Sequence, residues 1–170
     1  MKILGLLCVV LALAVGIVYV DGTTIPEDHS ISVTGVVPAP PGRVFSLITN
    51  VANSSAWRPA VKSVVTLQPD KGRDHWVEYL DHGRFMTFLA VRTEAPMRRE
   101  VVLDDPNASY GGTWIYELLP GPSPTNTTLR ITETGFIHPP IYRFIMTHIV
   151  GLTHNLDQYM TDIKAAAANP

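Results

Sequence analysis

A histidine, two glutamates, a tyrosine and an arginine are the side chains best placed to do chemistry, because each coincides with an apolar pattern. His148 recurs with Ile141, Ile145, Leu152, Leu156, Tyr159 and Ile163 at spacings of three or four, the mark of one buried helix stripe. An imidazole there could hydrogen-bond a ligand carbonyl or move a proton near neutral pH. It could equally be a core histidine satisfied by a strand hydroxyl or a backbone carbonyl. Glu133 shares a strand face with Leu129 and Ile131, and Glu117 shares one with Thr113 and Ile115. A carboxylate aimed into an apolar cavity is a candidate general base; on a solvated face it is an ordinary charge. Alternation leaves the face open, since Trp114, Tyr116 and Leu118 make the other side apolar too. The candidate catalytic set is therefore His148 with Glu133 or Tyr116.

Arg58 beside Trp57 is a candidate clamp for a carboxylate or phosphate at a cavity mouth, or a surface residue stacked on the indole. His75, Glu78, His82 and Arg84 crowd around one hairpin. His75 and Glu78 are three apart, so on a strand they face opposite ways, and no His/Asp/Glu spacing imposes metal-ligand geometry. Neither a metal nor a cofactor is expected. Trp57, Arg58, Phe88, Trp114, Tyr116, His148 and Leu152 are the expected ligand-binding residues. Asn53, Asn107 and Asn126 each head an Asn-x-Ser/Thr sequon.

The elements that must position these residues begin after an apolar leader. Ile3 to Val20 carries no charge, and roughly 17–25 apolar residues suffice to cross a bilayer. It reads as a signal anchor over residues 1–22, with a membrane helix at 3–20, or as a cleaved signal peptide with Ala14-Val15-Gly16 as its exit. Lys2 precedes the run, while Asp21, Glu27 and Asp28 follow it. That asymmetry predicts a cytoplasmic N-terminus and an extracytoplasmic domain; cleavage would make the domain secreted or periplasmic. A linker is expected over 23–30.

A strand is expected at Ile31–Val36, then a helix from Gly42 to Thr49 with Pro41 in its first turn. A second short turn delivers Trp57, and six further strand-like segments are joined by Gly/Pro/Asp/Asn turns. Pro139-Pro140 opens a long helix from Ile141 to about Ala168. The chain of 170 residues has a formal net charge of −2 and no basic cluster beyond Met97-Arg98-Arg99, which excludes the electrostatic footprint of a nucleic-acid binder. Its one cysteine, Cys8, lies in the leader, so the folded part has neither a disulfide framework nor a thiol nucleophile.

Pro38-Ala39-Pro40-Pro41-Gly42-Arg43-Val44-Phe45, Ile48-Thr49-Asn50 with Trp57-Arg58-Pro59, and Gly112 to Leu118 with Thr128 to Gly135 resemble motifs of the START-like helix-grip superfamily, particularly its polyketide cyclase/dehydratase-like branch. The resemblance covers about Ile31 to Lys164, within a domain expected at 31–168. It implies an α+β fold in which a curved seven-stranded antiparallel sheet wraps a long C-terminal helix, with two short helices after the first strand. It also implies a deep, mainly apolar cavity between sheet and helix. Three functions are compatible: a membrane-tethered domain that binds a hydrophobic small molecule or lipid, a cyclase or dehydratase, and a structural partner in the cell envelope. The balance leans away from an enzyme.

Overall fold

The computed structural model describes residues 2–168. A helix, α1 (Lys2–Thr24), precedes a single antiparallel sheet of β1 (Asp28–Val37), β2 (Val61–Thr66), β3 (His75–Leu80), β4 (Phe85–Glu94), β5 (Arg98–Leu103), β6 (Tyr110–Pro120) and β7 (Thr127–Ile137). The strand order is β1-β7-β6-β5-β4-β3-β2. Successive hairpins run from β2 to β7, and β1 closes against β7, so β1 and β2 occupy opposite edges. Helix α2 (Pro41–Thr49) and a 3₁₀ turn (Val51–Ala56) bridge those edges. After β7 come α3 (Pro140–Ile145), a π-helical turn (Met146–Val150) and α4 (His154–Ala168). The seven strands and the two short helices stand where the residue pattern puts them, and α2 buries Val44, Phe45 and Ile48.

Three boundaries differ from the sequence reading. The leader helix runs to Thr24 and β1 starts at Asp28, so the linker expected over 23–30 shrinks to three residues. The strand extends because Glu27 and His138 flank its pairing with β7: the Ile137 N–H donates to the Glu27 carbonyl at 2.9 Å. The long terminal helix is broken at Gly151, whose φ of +93° lies in the region glycine alone enters freely. The Gly151 N–H donates back to the Met146 carbonyl at 2.9 Å, closing the first segment as a glycine C-cap does.

α4 packs chiefly on β1 and α2. Gly35 permits the close approach, since a Cβ there would stand 2.8 Å from the Met160 sulfur. Leu156 and Ile163 fill the space above Val37, Leu118, Leu129 and Ile131, with Val44 and Ile48 of α2 closing the side. A second apolar group, Trp76, Phe88, Ala90 and Val101, lies further across the same concave face, toward β3.

Ile131 has no exposed surface, so Ile131→Ala leaves a cavity among atoms that cannot close it. The expected cost is about 2–5 kcal/mol, read as a lower urea midpoint with an unchanged slope. Ile149→Ala, 70% exposed, should move the midpoint by less than about 0.5 kcal/mol.

Candidate functional site

Strand register decides which residues face inward. Tyr116 pairs with Ile131 and Arg99, Trp114 pairs with Glu133 and Val101, and Trp76 pairs with Phe88. Directly opposed residues share a face, and Ile131, Val101 and Phe88 are core. The concave face therefore presents Trp76, Glu78, Phe88, Arg99, Trp114, Tyr116 and Glu133. Two polar groupings stand among these aromatics.

The first is centred on Arg58. The 3₁₀ turn before it ends with the Arg58 N–H donating to the Ser54 carbonyl at 2.8 Å, which turns the side chain inward. Arg58 Nη1 donates to Glu78 Oε1 at 2.7 Å, and Trp76 Nε1 donates to the same oxygen at 3.3 Å. Burial alone would lower the Arg58 pKa, but the Glu78 carboxylate and the Tyr159 and Tyr116 hydroxyls outweigh it and hold it above the ordinary value. The guanidinium lies 5.2 Å from the centre of the Tyr159 ring. That ring meets Trp57 edge-on and leans on Tyr116, each at 5.3 Å. Burial pushes the Tyr116 hydroxyl up to about 12 and Tyr159 well above the usual range. Both remain protonated at neutral pH.

Arg99 completes this grouping. It is fully buried, stacks over Trp76 at 5.5 Å and donates from Nη2 to Asp74 Oδ2 at 3.0 Å. Its Nε and Nη1 find no acceptor among the described residues. The Met97-Arg98-Arg99 run is thus split by the pleat. Arg98 lies outside with Glu100 and Glu117, while Arg99 lies inside.

The second grouping is built on Glu133. Trp114 Nε1 donates to Glu133 Oε2 at 2.9 Å, and His29 Nε2 lies 3.2 Å from Oε1. Both side chains of the His29–Glu133 pair are about one-eighth exposed. Gly135 leaves room for the imidazole, since a Cβ there would lie 3.1 Å from the ring. His29 was missed because the sequence reading put it in the linker. Its parity with Ile31 and Val33 was the available signal.

The remaining expected residues fall elsewhere. His148 is half exposed, 3.0 Å from Asp21 of α1 and against Phe144. The break at Gly151 detaches its segment from the stripe that continues through Leu156, Tyr159 and Ile163, so His148 and Glu133 do not meet. Leu152 sits partly buried at that break. Glu117 faces outward and accepts from Arg98 at 2.9 Å and Arg130 at 2.8 Å. The carboxylate held by Arg58 is the protein's own Glu78. Among the described residues no three His, Cys, Asp or Glu side chains converge as metal ligands would.

Beneath α4, Leu156 and Ile163 pack on Val37, Leu118, Leu129 and Ile131. A cavity of about 280 Å³ lies between Phe85, Met86, Thr87 and Leu103 and the segment from Asp105 to Tyr110.

A tyrosine raised in the native state contributes stability that is fully present below its unfolded pKa near 10. That stability is lost as the pH rises through about 12. For Tyr116 the two-unit gap is on the order of 3 kcal/mol. Absorbance near 295 nm should show tyrosine ionisation delayed past the ordinary range. Tyr116→Phe should remove part of the delayed signal and flatten the loss of stability between pH 10 and 12.

The family model described as polyketide cyclase / dehydrase and lipid transport matches residues 28–167. No curated protein matches the chain. Among solved structures, the Zhui aromatase/cyclase from Streptomyces sp. R1128 superposes with a TM-score of 0.68 at 14% identity, covering 84% of this chain and 94% of that one. A START superfamily protein from Mycobacterium smegmatis gives 0.65 at 14% identity, over 82% and 97%. A truncated norcoclaurine synthase from Thalictrum flavum gives 0.65 at 9% identity, over 86% and 97%. These likenesses establish the helix-grip fold.

Proposed function

Because the chain belongs to the polyketide cyclase/dehydrase and lipid transport family, we propose that it binds a hydrophobic small molecule or lipid segment on the concave face and holds it beside a membrane. Arg99 carries this reading. A fully buried guanidinium with two nitrogens lacking acceptors is costly unless something polar completes it. A ligand oxygen reaching Arg99 would do so. The surrounding Trp76, Phe88 and Trp114 supply apolar contact, and the protonated Tyr116 and Tyr159 supply further donors. Arg58 is matched by Glu78, Glu133 lies away on β7, and Arg99 has only the half-exposed Asp74, so the surroundings of Arg99 favour an anionic or strongly polarised oxygen over a cation. The cavity of about 280 Å³ does not include Arg99 in its lining; it adjoins Leu103, four residues further along β5, and falls just below the usual size of ligand sites, roughly 300–1,000 Å³. It suits one compact molecule or one arm of a larger one.

α1 supports the membrane part of the reading, since Ile3–Thr24 is long and apolar enough to cross a bilayer. With Lys2 before it and Asp21, Glu27 and Asp28 after it, the domain would face away from the cytoplasm. No nucleic acid enters this reading.

The His29–Glu133 pair favours a second reading, a dehydratase or cyclase. Glu133 would take the proton from a carbon beside a carbonyl. Protonated His29 would give one to the departing hydroxyl, which leaves as water. Proton transfer across their 3.2 Å contact would restore both. Glu133→Gln would then abolish turnover while ligand retention persists.

Native mass spectrometry of the full chain released from detergent micelles tests the first reading. The expected result, with equal amounts of decanoate and methyl decanoate, is a bound mass dominated by the acid. Arg99→Gln should cut that preference by roughly tenfold or more, the scale of a lost charge-assisted hydrogen bond. Absence of any retained hydrophobic mass would defeat the binding reading.

A further inference from the structure

Arg143 is only 5% exposed yet makes four hydrogen bonds across two parts of the chain. Its Nε donates to the Gly22 carbonyl at 2.9 Å. Its Nη1 donates to Glu27 Oε1 at 3.0 Å and to the carbonyls of Ile137 and His138 at 3.1 and 2.6 Å. His138 Nδ1 in turn lies 2.8 Å from Glu27 Oε2, and His148 Nε2 lies 3.0 Å from Asp21 Oδ2. Gly22 is pressed so closely on α3 that a Cβ would fall 2.1 Å from the Pro140 carbonyl oxygen. The last turn of α1, the end of β7 and the segment from Pro140 to Val150 are therefore one packed unit.

That unit begins where the uncharged run of α1 ends, at Val20. Ile141, Tyr142, Ile149 and Val150 are 40%, 63%, 70% and 41% exposed on it. Of the polar side chains there, Arg143 and His148 are already paired with Glu27 and Asp21, as is the neighbouring His138 with Glu27, and Thr147 carries no charge. We propose that the segment from Pro140 to Val150 seats these four side chains in the surface of the lipid bilayer beside α1, giving the domain a second membrane contact. The inference rests on α1 crossing a membrane.

Lipid is the occupant that the neighbouring surface selects. The span in α1 is not buried by the rest of the protein, so it carries an apolar environment up to the edge of this patch. Tyr19 and Tyr142, 51% and 63% exposed, stand near that edge, and tyrosine favours the membrane–water interface. Internal pairing of the nearby charges lowers the cost of approaching a region poor in water. Because Arg143 also grips the end of β7, the segment is fixed to the sheet. Two membrane contacts would then set the tilt of the concave face against the bilayer, which a flexible tether could not do.

The test uses the full chain in phosphatidylcholine vesicles, with Cys8→Ser and one new cysteine carrying an environment-sensitive fluorophore. Ile149→Cys reports the patch, Leu11→Cys reports α1, and Val65→Cys, 47% exposed on the far edge strand, is the reference. Spin-labelled lipids should quench the Ile149→Cys label several-fold more than the Val65→Cys label, most strongly with the spin label near the headgroup. Equal quenching at those two sites, with the Leu11→Cys label strongly quenched, overturns the proposal but leaves the anchor standing. An unquenched Ile149→Cys label whose emission depends on protein density assigns the patch to a second copy and also overturns it. If the Leu11→Cys label is unquenched, the membrane reading fails and this proposal fails with it.

Discussion

The break at Gly151 governs more of this molecule than any single contact. With φ at +93°, the chain cannot run on from the π turn as one helix, so α3 and α4 pack against different parts of the protein. α4 lies on β1 and α2 and closes the core at one end of the sheet. α3 turns to the leader helix instead of roofing the concave face. The exposed position of His148 follows from this one reversal. So does the docking of α1 through Arg143.

Charge inside the concave face is the second organising constraint. Taking ions out of water costs several kcal/mol per ion unless geometry and hydrogen bonds compensate. Glu78 is compensated twice, by Arg58 and by the Trp76 indole. Glu133 is compensated by Trp114 and flanked by His29. Arg99 is compensated only in part, through Asp74 and the face of Trp76. The indoles thus provide apolar surface and, in Trp76 and Trp114, hydrogen-bond donors aimed at carboxylates. An interior made only for packing gains nothing from a buried cation left incomplete. One made to receive an oxygen gains selectivity from it.

Much of the architecture was legible because strand alternation and α2's apolar spacing are local signals, and the described sheet follows them. Two features were not. Gly151 sits between Val150 and Leu152, where an apolar period of three or four continues undisturbed, so the stripe looks unbroken although the backbone reverses. The face of each strand depends on partners distant in sequence: Glu117 and Glu133 alternate alike, yet Arg98 and Arg130 hold the first outside while Trp114 and His29 hold the second inside. Arg143 is invisible in the same way. Its acceptors come from residues 22, 27, 137 and 138, and no spacing within one element announces that convergence.

The two functional readings differ in what they require of the same face. Binding needs only that an oxygen reach Arg99 and that aromatic surface lie alongside. Proton transfer needs a base that is ionised and an acid that is protonated, close together and near the substrate. Burial keeps the tyrosine hydroxyls protonated. Glu78 is already committed to Arg58 and Trp76. On the dehydratase or cyclase reading, proton transfer would fall to Glu133 with His29, at the β1–β7 side. The incomplete guanidinium lies on β5, on the far side of Trp114 and Tyr116. A substrate engaging both would have to span β5, β6 and β7. Neighbouring strands are about 4.8 Å apart, so the strand spacing alone makes that span at least roughly 10 Å. A compact ligand held at Arg99 would not reach Glu133; an extended one, such as a chain bearing oxygens along its length, would. On these two readings, ligand length, more than ligand polarity, would decide whether this face stores a molecule or changes it.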